Sequence, residues 1–319
     1  MKIIGTGSYT PSNKVSNDDM ANIVETSDEW IRERTGIVNR RISTGENTSD
    51  MAIIASKMAI EEAGINPIDI DKIILATMSP DSNLPNTACR VQAGIGADNA
   101  HCFDINAACS GFLFALNTAN AYLASGMAKI ILVIGAETLS KTVDFSDRST
   151  CVLFGDGAGA MLVSTDESKK YMAFSASDGE KGLVLTGTDY PVMNPYCKSD
   201  DEYRKYIQMD GKEVFKFAVT KVPYAIEKVL EIADKSVDDV DLFILHQANT
   251  RILSSVAKRL KVSDDKIPSN ISEYGNTSAA SIPLLFDELR KNKTIKDNMK
   301  LVLSGFGGGL TYGAAYLET

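Results

Sequence analysis

The sequence predicts an α/β fold made of two similar halves, and two patterns support this prediction. Short β-rich runs alternate with helical stretches along the 319 residues, as in α/β proteins whose strands are buried. In addition, residues 70–75 resemble residues 240–245, and residues 131–135 resemble residues 301–305. Both pairs are 170 positions apart, counted from 75 to 245 and from 135 to 305. A repeated offset of this kind indicates an internal duplication.

The same offset places Asn106 on Asn276 and predicts which loops meet. Ligands of α/β sheets bind where strands end and helices begin. Because equivalent strand ends should lie side by side at a pseudo-twofold axis, we expect the loops at Asn106, His246 and Asn276 to face one another. The first half is predicted at residues 1–168 and the second at residues 169–319. Four apolar runs read as buried strands, at 73–77, 101–106, 242–245 and 301–304.

Composition and charge exclude several classes of function. The apolar fraction of 44% is ordinary for a globular protein, and no apolar run is long enough to cross a bilayer, so we expect a cytoplasmic protein without membrane contact. A net charge of −9 disfavours nucleic acid as a partner, because phosphate binding needs a basic surface. The five cysteines contain no Cys-x-x-Cys pair, which argues against a disulfide framework and against a metal site.

Cys109 is the best candidate for a nucleophile. Residues 103–111 run from a predicted strand into a helix with apolar positions Leu113, Leu116 and Leu123. A helix N terminus stabilises a thiolate, so we expect a lowered pKa for this thiol. A buried structural cysteine is an equally supported alternative from this segment alone. The cysteines without such a setting are expected to be structural: Cys89, Cys102, Cys151 and Cys197.

The chain offers two histidines as partners for a nucleophilic cysteine. His101 begins a predicted core strand, and we expect it to be buried and structural. His246 follows the buried run 242–245 and precedes a helix that starts near Asn249. It therefore lies at a strand end in the second half, where the second catalytic group is expected.

Two glycine-containing turns could stabilise a developing negative charge. Asn276 follows a glycine and leads into a helix of small residues. An asparagine in such a place is most often a helix cap, although its amide could also donate to an anion. The run 305–309 allows close backbone approach and offers N–H groups for an oxyanion hole. The run 155–160 is followed by a strand, so we reject a nucleotide-binding loop there.

Four motifs together resemble the β-ketoacyl-acyl carrier protein synthase III family along essentially the whole chain. The resemblance implies the thiolase-like fold, layered α-β-α-β-α, and a homodimer. It implies a reaction that starts fatty-acid synthesis by condensing an acyl-CoA primer with malonyl-acyl carrier protein, and no cofactor besides the acyl-CoA substrate. The motifs are Asn-Ala-Ala-Cys-Ser-Gly (106–111), His-Gln-Ala-Asn-Thr-Arg (246–251), Gly-Asn-Thr-Ser-Ala (275–279) and Gly-Phe-Gly-Gly-Gly (305–309).

The resemblance also implies roles for individual residues. Cys109 would carry the acyl thioester, while His246 and Asn276 would donate hydrogen bonds to the enolate oxygen. The N–H groups of Cys109 and Gly308 would hold the oxyanion, and Phe306 would pack beside the departing carboxylate. The CoA-binding set is Thr26, Trp30, Arg34, Arg148 and Asn249. The carrier-binding set is Lys216, Gln247, Ala248, Asn249, Thr250, Arg251 and Lys258. The acyl pocket would involve Leu84, contributed across the dimer, Met209 and Phe215.

The residues themselves support part of the CoA site. Residues 26–29 fit a capping box that starts at Thr26, and Trp30 and Arg34 then lie on one helical face suited to adenine and phosphates. A core tryptophan beside solvated arginines is the alternative. Ser149 and Lys212 stand where the family commonly has glycine and asparagine, which leaves the details of the channel open.

The carrier protein is acidic, so a basic patch is expected near the cavity mouth. Arg251 and Lys258 are seven residues apart on one predicted helix face, and Lys216 and Arg259 are expected nearby. A simple solvated surface is the alternative interpretation.

Other condensing enzymes fit less well. Elongating synthases use two catalytic histidines, and degradative thiolases use a second cysteine near the C terminus, whereas the last cysteine here is Cys197. The alternative that remains is a chalcone-synthase-like or other CoA-dependent condensing enzyme that needs no carrier protein. A non-catalytic binding protein would be expected to have lost the triad, and a redox function lacks a resolving cysteine beside Cys109.

Overall fold

The computed structural model describes residues 1–197 and 202–319, and in them strands and helices alternate as predicted. The strands are β1 (Lys2–Tyr9), β2 (Lys14–Ser16), β3 (Asn39–Arg41), β4 (Lys72–Ala76), β5 (His101–Ile105), β6 (Ile130–Glu137), β7 (Gly157–Ser164), β8 (Tyr171–Ser177), β9 (Leu185–Thr186), β10 (Gln208–Met209), β11 (Leu242–Leu245), β12 (Lys300–Gly307) and β13 (Thr311–Glu318). The α-helices are α1 (Asn17–Ala21), α2 (Asp28–Thr35), α3 (Thr48–Ala63), α4 (Thr87–Ile95), α5 (Gly111–Ala124), α6 (Arg148–Cys151), α7 (Gly211–Ala233), α8 (Thr250–Leu260), α9 (Ile271–Tyr274) and α10 (Ser281–Lys291).

Two mixed sheets form the centre of the molecule. The first has the strand order β1-β7-β6-β4-β5 and the second has the order β11-β12-β13-β8. Strands β4, β5 and β6 run parallel, as do β11 and β12, and the remaining pairs in both sheets are antiparallel. Helices α5 and α10 fill the space between the sheets, α3 and α4 cover the first, and α7 and α8 cover the second. The layers are therefore α-β-α-β-α, and the central strands are apolar because both of their faces are buried.

Equivalent hydrogen bonds in the two halves also show the duplication. Asp71 Oδ2 accepts from Ile130 N at 3.0 Å, and Asp241 Oδ2 accepts from Lys300 N at 2.7 Å, so both partners are 170 positions further along. These bonds join the start of β4 to β6 and the start of β11 to β12. The predicted boundary at residue 168 lies between β7 and β8 and stays a prediction.

One prediction about the core is wrong. The run 101–106 forms β5, but β5 is an edge strand that is only partly buried, and His101 is exposed rather than structural. Its ring contacts Phe103, with centroids 5.7 Å apart. Across the part of the chain that the structure describes, no helix is both long and apolar enough to cross a bilayer.

Candidate active site

A cavity of about 1370 Å³ opens at the carboxyl ends of β5, β11 and β12. Cys109, His246 and Asn276 all line it, together with Phe306 and Gly308. The predicted convergence of the three loops is therefore observed. A volume of this size exceeds that of an ordinary small-molecule pocket.

Cys109 lies in the 3₁₀ turn Ala108–Ser110, which leads directly into α5. Its residue is only 9% exposed. Burial raises the pKa of this thiol to about 12; the Ser278 side chain offsets part of that increase, and the Glu137 charge adds to it. The expected low thiol pKa is therefore wrong, because desolvation disfavours the anion more than the turn stabilises it.

The end of β12 packs tightly against this turn. A Cβ atom added at Gly307 would lie 2.6 Å from Cys109 N, whereas one added at Gly308 would meet its nearest neighbour at 3.4 Å. Glycine at 307 is therefore required for the close approach of the two backbones. This approach brings the Gly308 main chain beside Ala108, next to the nucleophile.

His246 follows β11 and is held by its backbone and its ring. Its N–H donates to Ser304 O at 2.8 Å, and its Nδ1 lies 2.7 Å from Ser281 Oγ. Because Ser281 Oγ also accepts from Gln247 N, at 3.4 Å, its own proton is available to Nδ1. The neutral ring then carries its proton on Nε2 as a donor. Burial lowers the pKa of His246 to about 3, so the imidazole stays neutral at physiological pH.

Asn276 is fixed by both its main chain and its side chain. Its N–H donates to Leu153 O at 2.8 Å, and its carbonyl accepts from Gly155 N at 3.1 Å. The side-chain oxygen accepts from Ser278 N at 2.9 Å, which leaves the amide NH₂ group for a ligand. The turn cap and the anion-binding donor, which the sequence left as alternatives, are therefore compatible in one side chain.

An aromatic and arginine cluster lies at one end of the cavity. The guanidinium carbons of Arg34 and Arg148 lie 4.7 and 4.8 Å from the centroid of the Trp30 ring, within cation–π range. The hydroxyl of Thr26 is buried and has no hydrogen-bond partner among residues 1–197 and 202–319. The helix cap is not Thr26 as predicted but Ser27, whose Oγ accepts from Trp30 N at 3.1 Å.

Comparisons with known proteins agree with this geometry. The family model for 3-oxoacyl-[acyl-carrier-protein (ACP)] synthase III matches residues 103–182, and its C-terminal counterpart matches residues 230–319. A beta-ketoacyl-[acyl-carrier-protein] synthase III of Clostridium novyi (strain NT) is 50% identical over 319 residues, covering 100% of this chain and 98% of the relative. One from Streptococcus gordonii is 49% identical over 315 residues, covering 98% and 97%. The crystal structure of the 3-oxoacyl-[acyl-carrier-protein] synthase III from Aquifex aeolicus VF5 has a TM-score of 0.93 at 45% identity, covering 100% of this chain and 99% of that one.

The chain belongs to the β-ketoacyl-[acyl-carrier-protein] synthase III family. This membership confirms the thiolase-like fold and the condensing activity expected from the sequence.

Two departures from the common synthase III pattern both line the cavity. The hydroxyl of Ser149 is bonded to the Asp147 carboxylate at 2.7 and 2.8 Å. Lys212 is exposed in the first turn of α7. The serine is therefore held by its own helix cap, whereas the lysine adds a positive charge at the cavity wall.

The expected basic patch is largely at the surface. Arg251, Lys258 and Lys216 are exposed, and the Arg251 guanidinium carbon lies 5.8 Å from the centroid of the Phe215 ring. Arg259, at the end of α8, is also exposed.

Two other members of the carrier-binding set are turned inward. Gln247 is 1% exposed, and its side chain donates to Leu245 O at 2.7 Å and accepts from Ser269 Oγ at 2.7 Å, so this side chain is not at the surface where a carrier would bind. Thr250 is partly buried and donates to Thr35 O at 3.1 Å.

The remaining predicted residues divide between the cavity and its surroundings. Ala248, Asn249, Met209 and Phe215 line the cavity. Asn249 caps α8 and also donates to Arg34 O at 2.9 Å. Leu84 is 87% exposed and is not among the described residues that line the cavity of its own chain.

Sequence reasoning missed a buried carboxyl group behind the nucleophile. Glu137 ends β6 with 0% exposure, and Ser278 lies between it and Cys109. The signal that could have found Glu137 is the repeat, since it occupies the position of Gly307 in the other half. An acidic residue at the end of a core strand, where the other half has glycine, indicates that the two strand ends have different roles.

Proposed function

We propose that this enzyme condenses an acyl-CoA primer with malonyl-acyl carrier protein, forming β-ketoacyl-acyl carrier protein, CoA and carbon dioxide. The observation that supports this reaction best is the meeting of Cys109, His246 and Asn276 in one cavity of about 1370 Å³. Such a space accommodates a long thioester arm that reaches the nucleophile from the surface.

In the first step, the sulfur of Cys109 attacks the acyl-CoA carbonyl and CoA departs as its thiol. The main-chain N–H groups of Cys109 and Gly308 hold the negative oxygen of the tetrahedral intermediate. The close packing of Gly307 against Cys109 supports this role, because it brings the two backbone segments together.

In the second step, the malonyl thioester loses carbon dioxide and its carbanion attacks the acyl carbonyl on Cys109. The C–S bond to Cys109 then breaks, which releases the β-ketoacyl-carrier, and the thiolate of Cys109 regains a proton from solvent. The Nε2–H of neutral His246 and the amide of Asn276 donate to the enolate oxygen. The Phe306 ring lies edge-on to His246, with centroids 5.6 Å apart. This apolar wall disfavours the substrate carboxylate and favours its loss as uncharged carbon dioxide.

The two substrates approach over different surfaces. Trp30 and Arg148 stack against the adenine, Arg34 faces the phosphates, and the buried Thr26 hydroxyl binds the same nucleotide. The acidic carrier binds the patch around Arg251 on α8. No cofactor is proposed besides the acyl-CoA substrate.

The proposed assembly is a homodimer. Strand β5 pairs only with β4 among the described strands, so its outer edge is free to pair with a second copy. The exposed Leu84 would then enter the acyl pocket of the neighbouring subunit, beside Met209 and Phe215. A cytoplasmic location stays a prediction.

Intact-mass analysis with a panel of acyl-CoAs, followed by malonyl-acyl carrier protein, tests the proposal. We expect one acyl adduct on Cys109 that the malonyl-carrier discharges. Absence of any adduct would refute the mechanism. An adduct discharged only by malonyl-CoA would instead indicate the carrier-independent condensing enzymes. The preferred acyl group identifies the primer.

A further inference from the structure

The cavity has a positively charged lining in a protein that is negatively charged overall. The whole chain has 42 acidic and 33 basic residues, for a net charge of −9. Among the described residues that line the cavity, one is acidic, Asp81, and four are basic: Arg34, Lys141, Lys212 and Arg251. Because a cleft lined by one sign of charge concentrates ligands of the opposite sign, this lining favours anionic ligands.

Three of these four cations have partners within the protein. Arg34 and Arg251 each lie over an aromatic ring, and Lys141 donates to a main-chain carbonyl at 2.9 Å. The proposed function uses Arg34 for acyl-CoA and Arg251 for the carrier. Lys212 is the fourth cation, and neither step above gives it a role.

Lys212 lies exposed in the first turn of α7. The acids beside it in the sequence are engaged elsewhere, because Asp210 Oδ1 accepts from the main-chain N–H groups of Lys212 and Glu213, both at 3.1 Å, and Glu213 pairs with Lys216 at 4.0 Å. Among residues 1–197 and 202–319, no ion pair or side-chain hydrogen bond involves the Lys212 ammonium group. This group can therefore pair with an anion that enters the cavity.

The neighbours of Lys212 place it on the side of the cavity formed by α7 and α8. Lys212 and Phe215 are three residues apart on α7, so they share one face of that helix, and both line the cavity. The Arg251 guanidinium of α8 lies over the same Phe215 ring. The cluster around Trp30 instead lies on α2 and α6. Lys212 is thus separate from the residues proposed to bind adenine.

The two proposed substrates have one charged group in common at the far end of the thioester arm. In CoA and in the carrier arm alike, the sulfur belongs to pantetheine, whose other end is esterified to phosphate. We propose that Lys212 binds this shared phosphate, first in acyl-CoA and then in the malonyl-carrier. A lysine ammonium group is a compact point charge that suits phosphate. This inference rests on the proposed function, since it names the group that both substrates present to the cavity wall.

The test is the affinity of the enzyme for two unreactive probes, the S-methyl thioethers of pantetheine and of 4′-phosphopantetheine, measured by isothermal titration calorimetry at low ionic strength. For the unmodified enzyme we expect the phosphorylated probe to bind at least about threefold more tightly. Lys212→Gln removes the charge and should lose this preference, while it binds the pantetheine probe as before. An unchanged preference in Lys212→Gln, or no preference in the unmodified enzyme, would overturn the proposal.

The matched control is Lys228→Gln, which makes the same change on the same helix. Lys228 lies outside the described cavity lining and pairs with Glu231 at 2.7 Å. This variant should keep the preference of the unmodified enzyme. Loss of the preference in both variants would indicate a general effect of charge and would overturn the assignment to Lys212.

Steady-state kinetics then test whether the phosphate site is shared. Lys212→Gln should raise the KM for acyl-CoA and the KM for the malonyl-carrier by similar factors, at least about threefold, with kcat nearly unchanged. A rise for the carrier alone would place Lys212 against the carrier protein itself. A rise for acyl-CoA alone would place it at phosphates that only the nucleotide has. Either result would overturn the shared role.

The calorimetric test does not depend on the proposed reaction, because the thioether probes cannot acylate Cys109. If Lys212→Gln lost the preference for the phosphorylated probe but no acyl-CoA formed an adduct, the proposed function would be contradicted and the phosphate site would stand. If adducts formed normally but the preference persisted, only the role of Lys212 would be contradicted.

Discussion

Two turns related by the duplication, residues 106–109 and 276–279, have similar backbones and different chemistry. Asn106 Oδ1 accepts from Ala108 N at 3.2 Å, and Asn276 Oδ1 accepts from Ser278 N at 2.9 Å. The next position holds Cys109 in the first copy and Ala279 in the second. In the first copy the asparagine only closes the turn that presents the nucleophile. In the second, the asparagine itself is the proposed functional group.

The strand ends that face these turns differ in the same way. Gly307 lets β12 approach the main chain of Cys109, where an oxyanion would bind. At the equivalent place, Glu137 of β6 binds Ser278 instead. The comparison teaches that the duplicated fold supplies two equivalent positions, and that a few substitutions distinguish the proposed acyl site from the turn beside it.

Cys109→Ala should have the largest effect of any change in the two turns. We expect no detectable acyl adduct, because the variant lacks the thiol that would carry the acyl group, and intact-mass analysis measures this directly. Cys151→Ala, which changes a cysteine that is 3% exposed and outside the described cavity lining, should retain the adduct. An adduct on the Cys109→Ala protein would break the assignment.

Asn276→Ala and Asn106→Ala separate the roles of the two asparagines. Loss of the Asn276 amide should slow condensation by about 10²–10³-fold while leaving acylation intact, because one enolate donor disappears. Loss of Asn106 removes one turn hydrogen bond, worth about 1 kcal/mol of stability, and should leave both half-reactions near normal. Single-turnover kinetics and thermal unfolding check both expectations. Equal losses of condensation in the two variants would contradict them.

Gly307→Ala and Gly308→Ala test the strand end. The added Cβ at 307 would lie 2.6 Å from Cys109 N and should slow acylation by about 10²-fold, since a small displacement of the nucleophile is costly. At 308 the nearest atom is 3.4 Å away and the N–H remains, so we expect a change of less than about threefold. The rate of acyl-adduct formation in each variant checks both expectations. A normal rate in Gly307→Ala would contradict the requirement for close approach of the two backbones.

Trp30→Ala should weaken acyl-CoA binding without altering the turns that contain Cys109 and Asn276. Loss of the stacked ring should raise the KM for acyl-CoA by about tenfold or more, which corresponds to about 1–2 kcal/mol. Cys109 alkylation should be unchanged. Arg32→Ala is the control, because it lies on the same helix but pairs with Asp28 at the surface. A similar KM for both variants would show that the cluster does not bind CoA.

Arg251→Glu should have the smallest effect. Reversal of one exposed charge should raise the KM for the malonyl-carrier a few-fold and reduce its dependence on salt. Lys296→Glu, an exposed change outside the described cavity lining, should do neither. If the KM of Arg251→Glu for the malonyl-carrier kept its normal dependence on salt, the carrier would have to bind another surface.

Much of the fold could be predicted because its central strands are buried on both faces. Such strands are continuous apolar runs, and their recurrence after 170 residues revealed the duplication. Periodicity does not separate an edge strand from a central one, so the burial of His101 was predicted wrongly. A helix boundary is uncertain by a residue or two, which explains why Thr26 was predicted as a cap in place of Ser27.

Features that depend on contacts between distant parts of the chain could not be predicted from the sequence. The pKa of Cys109 is set by burial, which a local helix argument does not contain. Ser278 and Glu137 are 141 residues apart in the sequence, and only the folded chain brings them together. The inward orientation of the Gln247 side chain likewise follows from its contact with Ser269.

The central claim is that one turn forms the acyl thioester and the other consumes it. The most direct measurement is intact mass over time for the unmodified enzyme and for Asn276→Ala, each given acyl-CoA and then malonyl-acyl carrier protein. The claim predicts equal adducts on Cys109, discharged rapidly in the first protein and retained in the second. Discharge at the same rate in both, or failure of Asn276→Ala to form the adduct, would contradict it.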